Sequence, residues 1–122
     1  MTITIYGIKS CSTMKKAFDW LDRHGVAYAF HDYKKAGADR ATLESWCAAV
    51  SWEALLNMRG TTWRKLDPAQ QDITDEAAAI ALMCEHSSVI RRPVIEIEHG
   101  ELLVGFDPVS YAARLAPDGV PT

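Results

Sequence analysis

The opening of the chain constrains its fold more than any other segment does. Polar and apolar residues alternate over residues 2–6, which predicts a β-strand, and apolar residues then recur at helical spacing from Met14 to Leu21. Gly25 is placed to end that helix, and residues 26–31 form a second run typical of a strand. The two strands are therefore expected to pair in parallel through a right-handed β-α-β crossover.

Helices alone are predicted for the middle of the chain, after a predicted loop at residues 33–38. Asp39 is a candidate N-cap for the first helix, and Ser51 is a candidate N-cap for a short second helix. Thr74 is expected to cap a longer, alanine-rich helix that runs to about His86. Side-chain oxygens favour these positions because they accept hydrogen bonds from the free N–H groups of a first helical turn.

Two further strands and a helix are predicted for the end of the chain. The strands cover residues 93–97 and 102–105, and residues 98–101 form the turn of a β-hairpin. Asp107 caps the last helix, and Pro108 occupies its first position, where a missing N–H is harmless. The final residues, from Pro117 onward, are expected to fray.

The order of these elements predicts an α/β thioredoxin-like fold. A β-α-β unit is followed by a helical stretch over about residues 39–89 and then by a β-β-α unit. A length of 122 residues is sufficient for one domain with its own hydrophobic core. We therefore expect a single thioredoxin-like domain over residues 1–122, with a helical insertion over about residues 39–89.

The composition excludes several classes of function. A net charge of −3 is not that of a protein that binds nucleic acid through a basic surface, and no segment has the apolar length of a membrane span. The chain has three cysteines, an odd number, at the widely spaced positions Cys11, Cys47 and Cys84. This number and spacing exclude a disulfide framework and a zinc site. We expect a cytoplasmic monomer with reduced thiols, no bound metal, and no membrane or direct nucleic-acid partner.

Cys11 is the strongest candidate for a catalytic residue. It lies between the first strand and the first helix, where free backbone N–H groups and the helix dipole stabilise a thiolate. Lys9 and Lys15, with Lys16, add positive charge nearby. The alternative is that Cys11 is a small packing residue, which is the role expected for Cys47 and Cys84.

Two basic segments are candidates for binding an anion, because guanidinium groups hold carboxylates and oxyanions through two hydrogen bonds. Arg91 and Arg92 precede Pro93, and one of the two is expected to be solvated because side chains alternate along an extended chain. Arg59 lies in a stretch expected to be irregular, residues 57–65, where Gly60 indicates a special backbone conformation. The pattern alone leaves both isomers of the bond before Pro93 open.

Three separated motifs resemble the arsenate-reductase-like (ArsC-like) and Spx-like family, and in particular its YffB-type branch. They are Tyr6–Ala17, Trp52–Leu66, and Arg91–Pro93 followed by Gly105-Phe106. The resemblance implies a thioredoxin-like fold with a helical insertion, a nucleophilic cysteine at Cys11, and arginines at Arg59 and Arg92 that bind an oxyanion. In family members that reduce arsenate, glutathione and glutaredoxin resolve the adduct on the thiol.

The chain departs from two branches of that family. Members that reduce arsenate carry a further arginine just after the hairpin, where this chain has Val104-Gly105-Phe106-Asp107. Spx-like regulators pair the first cysteine with a second one three residues later, where this chain has Met14. The resemblance therefore favours an oxidoreductase, a glutathione-dependent thiol reductase that needs no tightly bound cofactor.

In that interpretation Arg59, Arg92, Pro93, Lys9 and Lys15 bind glutathione or a small oxyanion, and glutaredoxin is a candidate partner. Two alternatives remain open. One is a non-enzymatic regulator that docks on a protein such as RNA polymerase, as Spx-like members do. The other is a glutathione- and glutaredoxin-linked arsenate reductase.

Overall fold

The structure is a computed structural model that describes residues 3–9, 11–97 and 101–115, with every side chain except that of Lys34. Its elements in chain order are β1 Ile3–Gly7, α1 Ser12–Arg23, β2 Tyr28–Asp32, α2 Tyr33–Ala36, α3 Arg40–Ala49, α4 Trp52–Leu55, α5 Thr61–Lys65, α6 Pro68–Gln71, α7 Glu76–Glu85, β3 Val94–Glu96, β4 Leu102–Val104 and α8 Pro108–Leu115. A short 3-10 turn, Ser87–Val89, follows α7.

The four strands form one mixed sheet in the order β2-β1-β3-β4. β1 pairs in parallel with β2, and β3 is antiparallel to both β1 and β4. The predicted β-α-β crossover and the closing hairpin are therefore confirmed. This is a thioredoxin-like α/β fold, with β1 beside the strand that follows Arg92.

Contacts divide the chain into two compact units, Met1–Asp32 with Arg92–Thr122, and Tyr33–Arg91. The first unit contains the sheet, α1 and α8 around one apolar core. Full burial of an aliphatic side chain in such a core contributes about 1.5–3 kcal/mol. The buried members are Ile3, Ile5, Met14, Ala17, Trp20, Leu21, Val26, Ile95, Ile97, Tyr111 and Leu115.

The second unit is helical and includes residues 39–89. α7 packs against α3 and α4. The buried side chains of this unit include Leu43, Trp46 and Met83. Leu56 forms an isolated antiparallel bridge with Ile90. The N–H of Asn57 donates to the Val89 carbonyl at 2.7 Å, and these contacts hold the segment after α4 beside Val89 and Ile90.

Several predicted boundaries are confirmed by the hydrogen bonds. Asp39 caps α3 by accepting from the N–H of Thr42 at 3.2 Å, and Asp107 accepts from the N–H of Val109 at 3.1 Å at the start of α8. Gly25, with φ of 64°, ends the α1 segment as expected. The N–H of Val26 then donates to the Leu21 carbonyl at 3.0 Å.

That last hydrogen bond corrects the predicted second strand. Val26 belongs to the closing turn of α1, so β2 begins at Tyr28 and extends to Asp32. The N-cap of α7 is also corrected. Asp75, and not Thr74, accepts from the N–H of Ala78, at 2.8 Å.

Other local predictions were wrong because single helical turns have no detectable periodicity. α2 occupies part of the predicted loop at residues 33–38, and α5 occupies the end of the stretch 57–65 expected to be irregular. The capping box at Asp67, which starts α6, was missed. Ser51 holds the N-cap position of α4 without a side-chain hydrogen bond, and Leu56 lies just beyond that helix.

Part of the predicted hairpin turn, residues 98–100, and the tail from residue 116 onward lie outside the described residues. At the edge of the turn, the N–H of Ile97 donates to the Glu101 carbonyl at 2.8 Å. Among residues 3–9, 11–97 and 101–115 no helix has the length and apolarity needed to cross a membrane.

Candidate active site

Cys11 is the N-cap residue of α1. Its backbone is extended, with φ of −105° and ψ of 132°, while its carbonyl already accepts from the N–H of Lys15 at 3.1 Å. The next residues therefore place the unpaired N–H groups of a first helical turn around the side chain. The sulfur is partly buried and packs against the apolar core of the first unit.

The surroundings of Cys11 lower the pKa of its thiol. Partial burial opposes ionisation, but it is outweighed by the backbone N–H groups of Met14 and Thr13, the charge of Arg92 and the Thr13 hydroxyl. The neutral side chain makes no capping hydrogen bond. The N–H groups therefore act mainly on the thiolate, which is the nucleophilic form.

The other two thiols have the opposite properties. Burial and the Glu76 carboxylate raise the pKa of Cys47, which is 8% exposed within α3. Burial also raises the pKa of Cys84, where the charge of Arg40 is opposed by the Asp39 and Glu44 carboxylates. Burial of Cys47 on an apolar face agrees with its predicted packing role.

Arg92 and Pro93 occupy the segment that enters β3, next to β1 in the sheet. The peptide bond between them is cis. Arg92 is half-buried and acts electrostatically on Cys11, whereas Arg91 is exposed. This confirms that one arginine of the pair faces solvent and identifies Arg92 as the one whose charge reaches the thiol.

The segment after β4 is fixed against Pro93. The N–H of Gly105 donates to the Pro93 carbonyl at 2.8 Å, and the Tyr111 hydroxyl donates to the Gly105 carbonyl at 2.8 Å. Phe106 meets Tyr111 edge to face, with ring centroids 5.2 Å apart. Gly105 has φ of 83°, a conformation that favours glycine over other residues.

Arg59 lies in the second unit, in the turn between α4 and α5. Its side chain is exposed, and its N–H donates to the Asn57 side-chain carbonyl at 3.1 Å. Gly60 has an ordinary φ of −78°, so the expected special backbone is wrong. A Cβ at Gly60 would lie 2.9 Å from the Asn57 side-chain amide nitrogen, so a larger residue there would displace the end of that side chain.

The structure thus brings Cys11 and Arg92 together in the first unit. Lys9 and Lys15 are exposed, and neither is among the groups that shift the pKa of Cys11. The binding roles of Arg59, Lys9, Lys15 and Pro93 stay predictions.

Thr13 was not identified as a site residue from the sequence, and Met14 was noted for its place in the helical pattern and for replacing a second cysteine. Both act on the thiol through backbone N–H groups. The signal that could have revealed them is their position two and three residues after an N-cap.

No cluster of three or more metal-binding side chains occurs within the described part of the chain. The groups around Cys11 are N–H donors, a hydroxyl and a guanidinium, which suit an anion. The arrangement can generate a nucleophilic thiolate and hold negative charge beside it.

Comparison with known families agrees with this assembly. The model of the ArsC family matches residues 6–114, a range that contains Cys11, Arg59 and Arg92. The chain belongs to the ArsC family. The predicted resemblance to arsenate-reductase-like and Spx-like proteins is therefore confirmed.

Three similar proteins illustrate the range of this family. A solved structure of a YffB protein is 56% identical, covers 93% of this chain and 99% of its own, and has a TM-score of 0.90. An arsenate reductase (ArsC) related protein from Brucella melitensis is 51% identical over 93% of this chain and 94% of its own, with a TM-score of 0.73. The global transcriptional regulator Spx of Streptococcus mutans is 26% identical over 95% of this chain and 85% of its own.

Proposed function

We propose that this ArsC-family chain is a glutathione-dependent thiol reductase with Cys11 as its nucleophile. The observation that carries the proposal is the contrast between its thiols. The pKa is lowered at Cys11 and raised at Cys47 and Cys84. A lowered pKa increases the fraction of thiolate at neutral pH, and only the thiolate attacks a disulfide.

The reaction needs an external thiol. The Cys11 thiolate attacks one sulfur of a substrate disulfide, forms a mixed disulfide, and releases the other half as a thiolate that takes up a proton. A glutathione thiolate then displaces the bound half and leaves Cys11 joined to glutathione. A second glutathione frees the Cys11 thiolate and departs as oxidised glutathione, so two glutathione molecules supply the two electrons.

An internal resolving thiol is not favoured by the sequence around the nucleophile. Met14 stands where a Cys-x-x-Cys motif would have its second cysteine. Cys47 and Cys84 lie in the helical unit, and burial is the largest influence on the pKa of each. Glutathione is the external thiol that we assign to the cycle.

Arginine and lysine side chains would bind the carboxylates of glutathione. Arg92 is the best supported of these, because its charge already reaches Cys11 and its guanidinium can pair with a carboxylate through two hydrogen bonds. Arg59, Lys9 and Lys15 are exposed and free to serve as further anion ligands, and glutaredoxin is a candidate protein partner. Binding through such groups weakens as salt is added.

Arsenate reduction is the less favoured enzymatic alternative. The segment where arsenate-reducing members carry a further arginine is Val104-Gly105-Phe106-Asp107 in this chain. Here Gly105 bonds to Pro93, Phe106 packs on Tyr111, and Asp107 caps α8. These residues serve packing and capping, and none of them supplies a cation for an oxyanion.

The test is the intact mass of the reduced protein after brief exposure to oxidised glutathione between pH 5 and 9. We expect one glutathione adduct in the wild type, still forming rapidly below about pH 7, and none in Cys11→Ser. Cys47→Ser and Cys84→Ser are the matched controls, and each should form the adduct at the wild-type rate.

An adduct absent from the wild type, or spread over Cys47 and Cys84, would contradict the proposal. That result would favour the non-enzymatic alternative, in which the chain is a protein-binding regulator like its Spx relative. Arsenate-dependent oxidation of glutathione that requires Cys11 would instead support arsenate reduction.

A further inference from the structure

Gly7 is the last residue of β1 and lies against the side chain of Met14, in the first turn of α1. A Cβ built on Gly7 would stand 2.4 Å from the Met14 sulfur and 2.7 Å from its terminal methyl carbon. Real carbon atoms do not approach a sulfur this closely without displacing it. The thioether therefore occupies the space that any other residue at position 7 would need.

Gly7 is required for space and not for backbone conformation. Among the described residues, the glycines with positive φ are Gly25, Gly37 and Gly105, and Gly7 is not one of them. Its neighbours in the ladder fix its position, since Gly7 pairs with Asp32 of β2. A side chain at position 7 would thus point from a fixed strand toward α1.

Met14 has little room in which to yield. It is fully buried, and so are its core neighbours Ile5, Ala17 and Leu21. Protein interiors are packed closely enough that the addition of one methyl group forces shifts of side chains or backbone. A methyl group at position 7 would therefore press the Met14 thioether against these buried neighbours.

We propose that Gly7 is a positioning residue for Cys11. By leaving space for the Met14 thioether, it sets the first turn of α1 and aims the N–H of Met14 at the Cys11 sulfur. This inference rests on the proposed function, in which Cys11 is the nucleophile. It adds that the reactivity of the thiol depends on a strand residue that does not touch it.

Of the groups that lower the pKa of Cys11, the backbone N–H of Met14 has the largest effect. A hydrogen bond to a charged group weakens steeply when its angle or length is disturbed. Gly7→Ala should therefore disfavour the thiolate although Cys11, Thr13 and Arg92 all keep their side chains. Met14→Ala should not have this effect, because alanine keeps the N–H and removes the thioether.

The experiment is alkylation of Cys11 by iodoacetamide as a function of pH, followed by peptide mass spectrometry. Gly7→Ala should move the midpoint of the profile to higher pH and slow the reaction at pH 6 about three- to tenfold. The double variant Gly7→Ala/Met14→Ala should return to within about twofold of Met14→Ala alone, since the new methyl group then occupies vacated space. Leu115→Ala, in the same core, is the control for general loss of stability.

A wild-type profile in Gly7→Ala would overturn the inference, as would a shifted profile that the second substitution does not restore. An equal shift in Leu115→Ala would also overturn it. If Gly7→Ala does not fold, Met14→Ala is compared with the double variant. A double variant that is unfolded, or whose pH profile is shifted from that of Met14→Ala, would overturn the inference, because the clash with the thioether would then not be the cause. Alkylation needs no glutathione, so this result is independent of whether glutathione is the substrate.

Discussion

Cys11 and Cys47 lie at opposite ends of their helices, and their pKa values are shifted in opposite directions from that of an ordinary thiol. Cys11 precedes the first turn of α1, whereas Cys47 lies in the last turn of α3. Free N–H groups and positive potential favour a thiolate at an N-terminus, while carbonyl groups and negative potential disfavour it at a C-terminus. Cys84 lies near the end of α7, and burial is the largest cause of the raised pKa at both Cys47 and Cys84.

Neighbouring charges reinforce this contrast. Arg92 lowers the pKa of Cys11, whereas Glu76, at the start of α7, raises that of Cys47. Burial alone does not distinguish the sites, because it disfavours the thiolate at each of the three cysteines. At Cys11 the N–H groups, the Thr13 hydroxyl and the Arg92 charge outweigh burial, whereas at Cys47 the Glu76 carboxylate adds to it, so the groups that face each sulfur set the direction of its pKa shift.

The largest expected effect is the difference in alkylation rate between the two thiols. At pH 7, iodoacetamide should modify Cys11 at least about tenfold faster than Cys47 in the folded protein, because Cys11 is the more ionised and the less buried. Peptide mass spectrometry of partly labelled protein measures both rates. In concentrated urea the two rates should become similar, and similar rates in the folded protein would break the comparison.

Loss of the Arg92 charge should have the next largest effect. Arg92→Gln removes the cation that lowers the pKa of Cys11, so alkylation of Cys11 at pH 6 should slow about threefold or more. Arg91→Gln is the matched control, since Arg91 is its exposed neighbour. Equal rates in the two variants would show that Arg92 does not stabilise the thiolate.

A smaller effect is expected at Cys47. Glu76→Gln removes the carboxylate that raises its pKa, and alkylation of Cys47 at pH 8 should increase about twofold, with a smaller increase at high salt. Glu44→Gln is the control, because that carboxylate acts on Cys84. If both substitutions raised labelling of Cys47 equally, loosening of the helices would explain the change better than charge.

The smallest effect concerns stability as a function of pH. Because the folded pKa of Cys11 is lowered, its contribution is fully present above the unfolded thiol pKa of about 8.5 and is lost as the pH falls through the folded pKa. The difference in free energy of unfolding between wild type and Cys11→Ser should therefore grow from pH 6 to pH 9. Urea titrations at these two pH values measure it.

Cys47 should show the opposite sign. Its folded pKa is raised, so the unfolded chain releases the thiol proton first, and the contribution of Cys47 to stability falls as the pH rises above about 8.5. The difference between wild type and Cys47→Ala should shrink in the same titrations. A parallel pH dependence for both cysteines would contradict the assigned pKa shifts.

Much of the fold follows from local pattern. The alternation in β1, the helical spacing from Met14 to Leu21 and the caps at Asp39 and Asp107 all correspond to elements in the structure. Single turns such as α2, α5 and α6 were missed or misplaced, because four or five residues do not establish a helical period. The choice of Asp75 over Thr74 as N-cap depended on one hydrogen bond that the pattern does not specify.

The sequence by itself determined that Cys11 stands where a strand gives way to a helix, because that position follows from periodicity along the chain. It also identified Arg91 and Arg92 as an anion-binding candidate, since residue type alone carries that chemistry. Only the tertiary structure decided that Arg92 is the arginine whose charge reaches the thiol. It likewise decided that Gly7 leaves space for Met14, because the packing of α1 in the core sets which side chain faces that glycine.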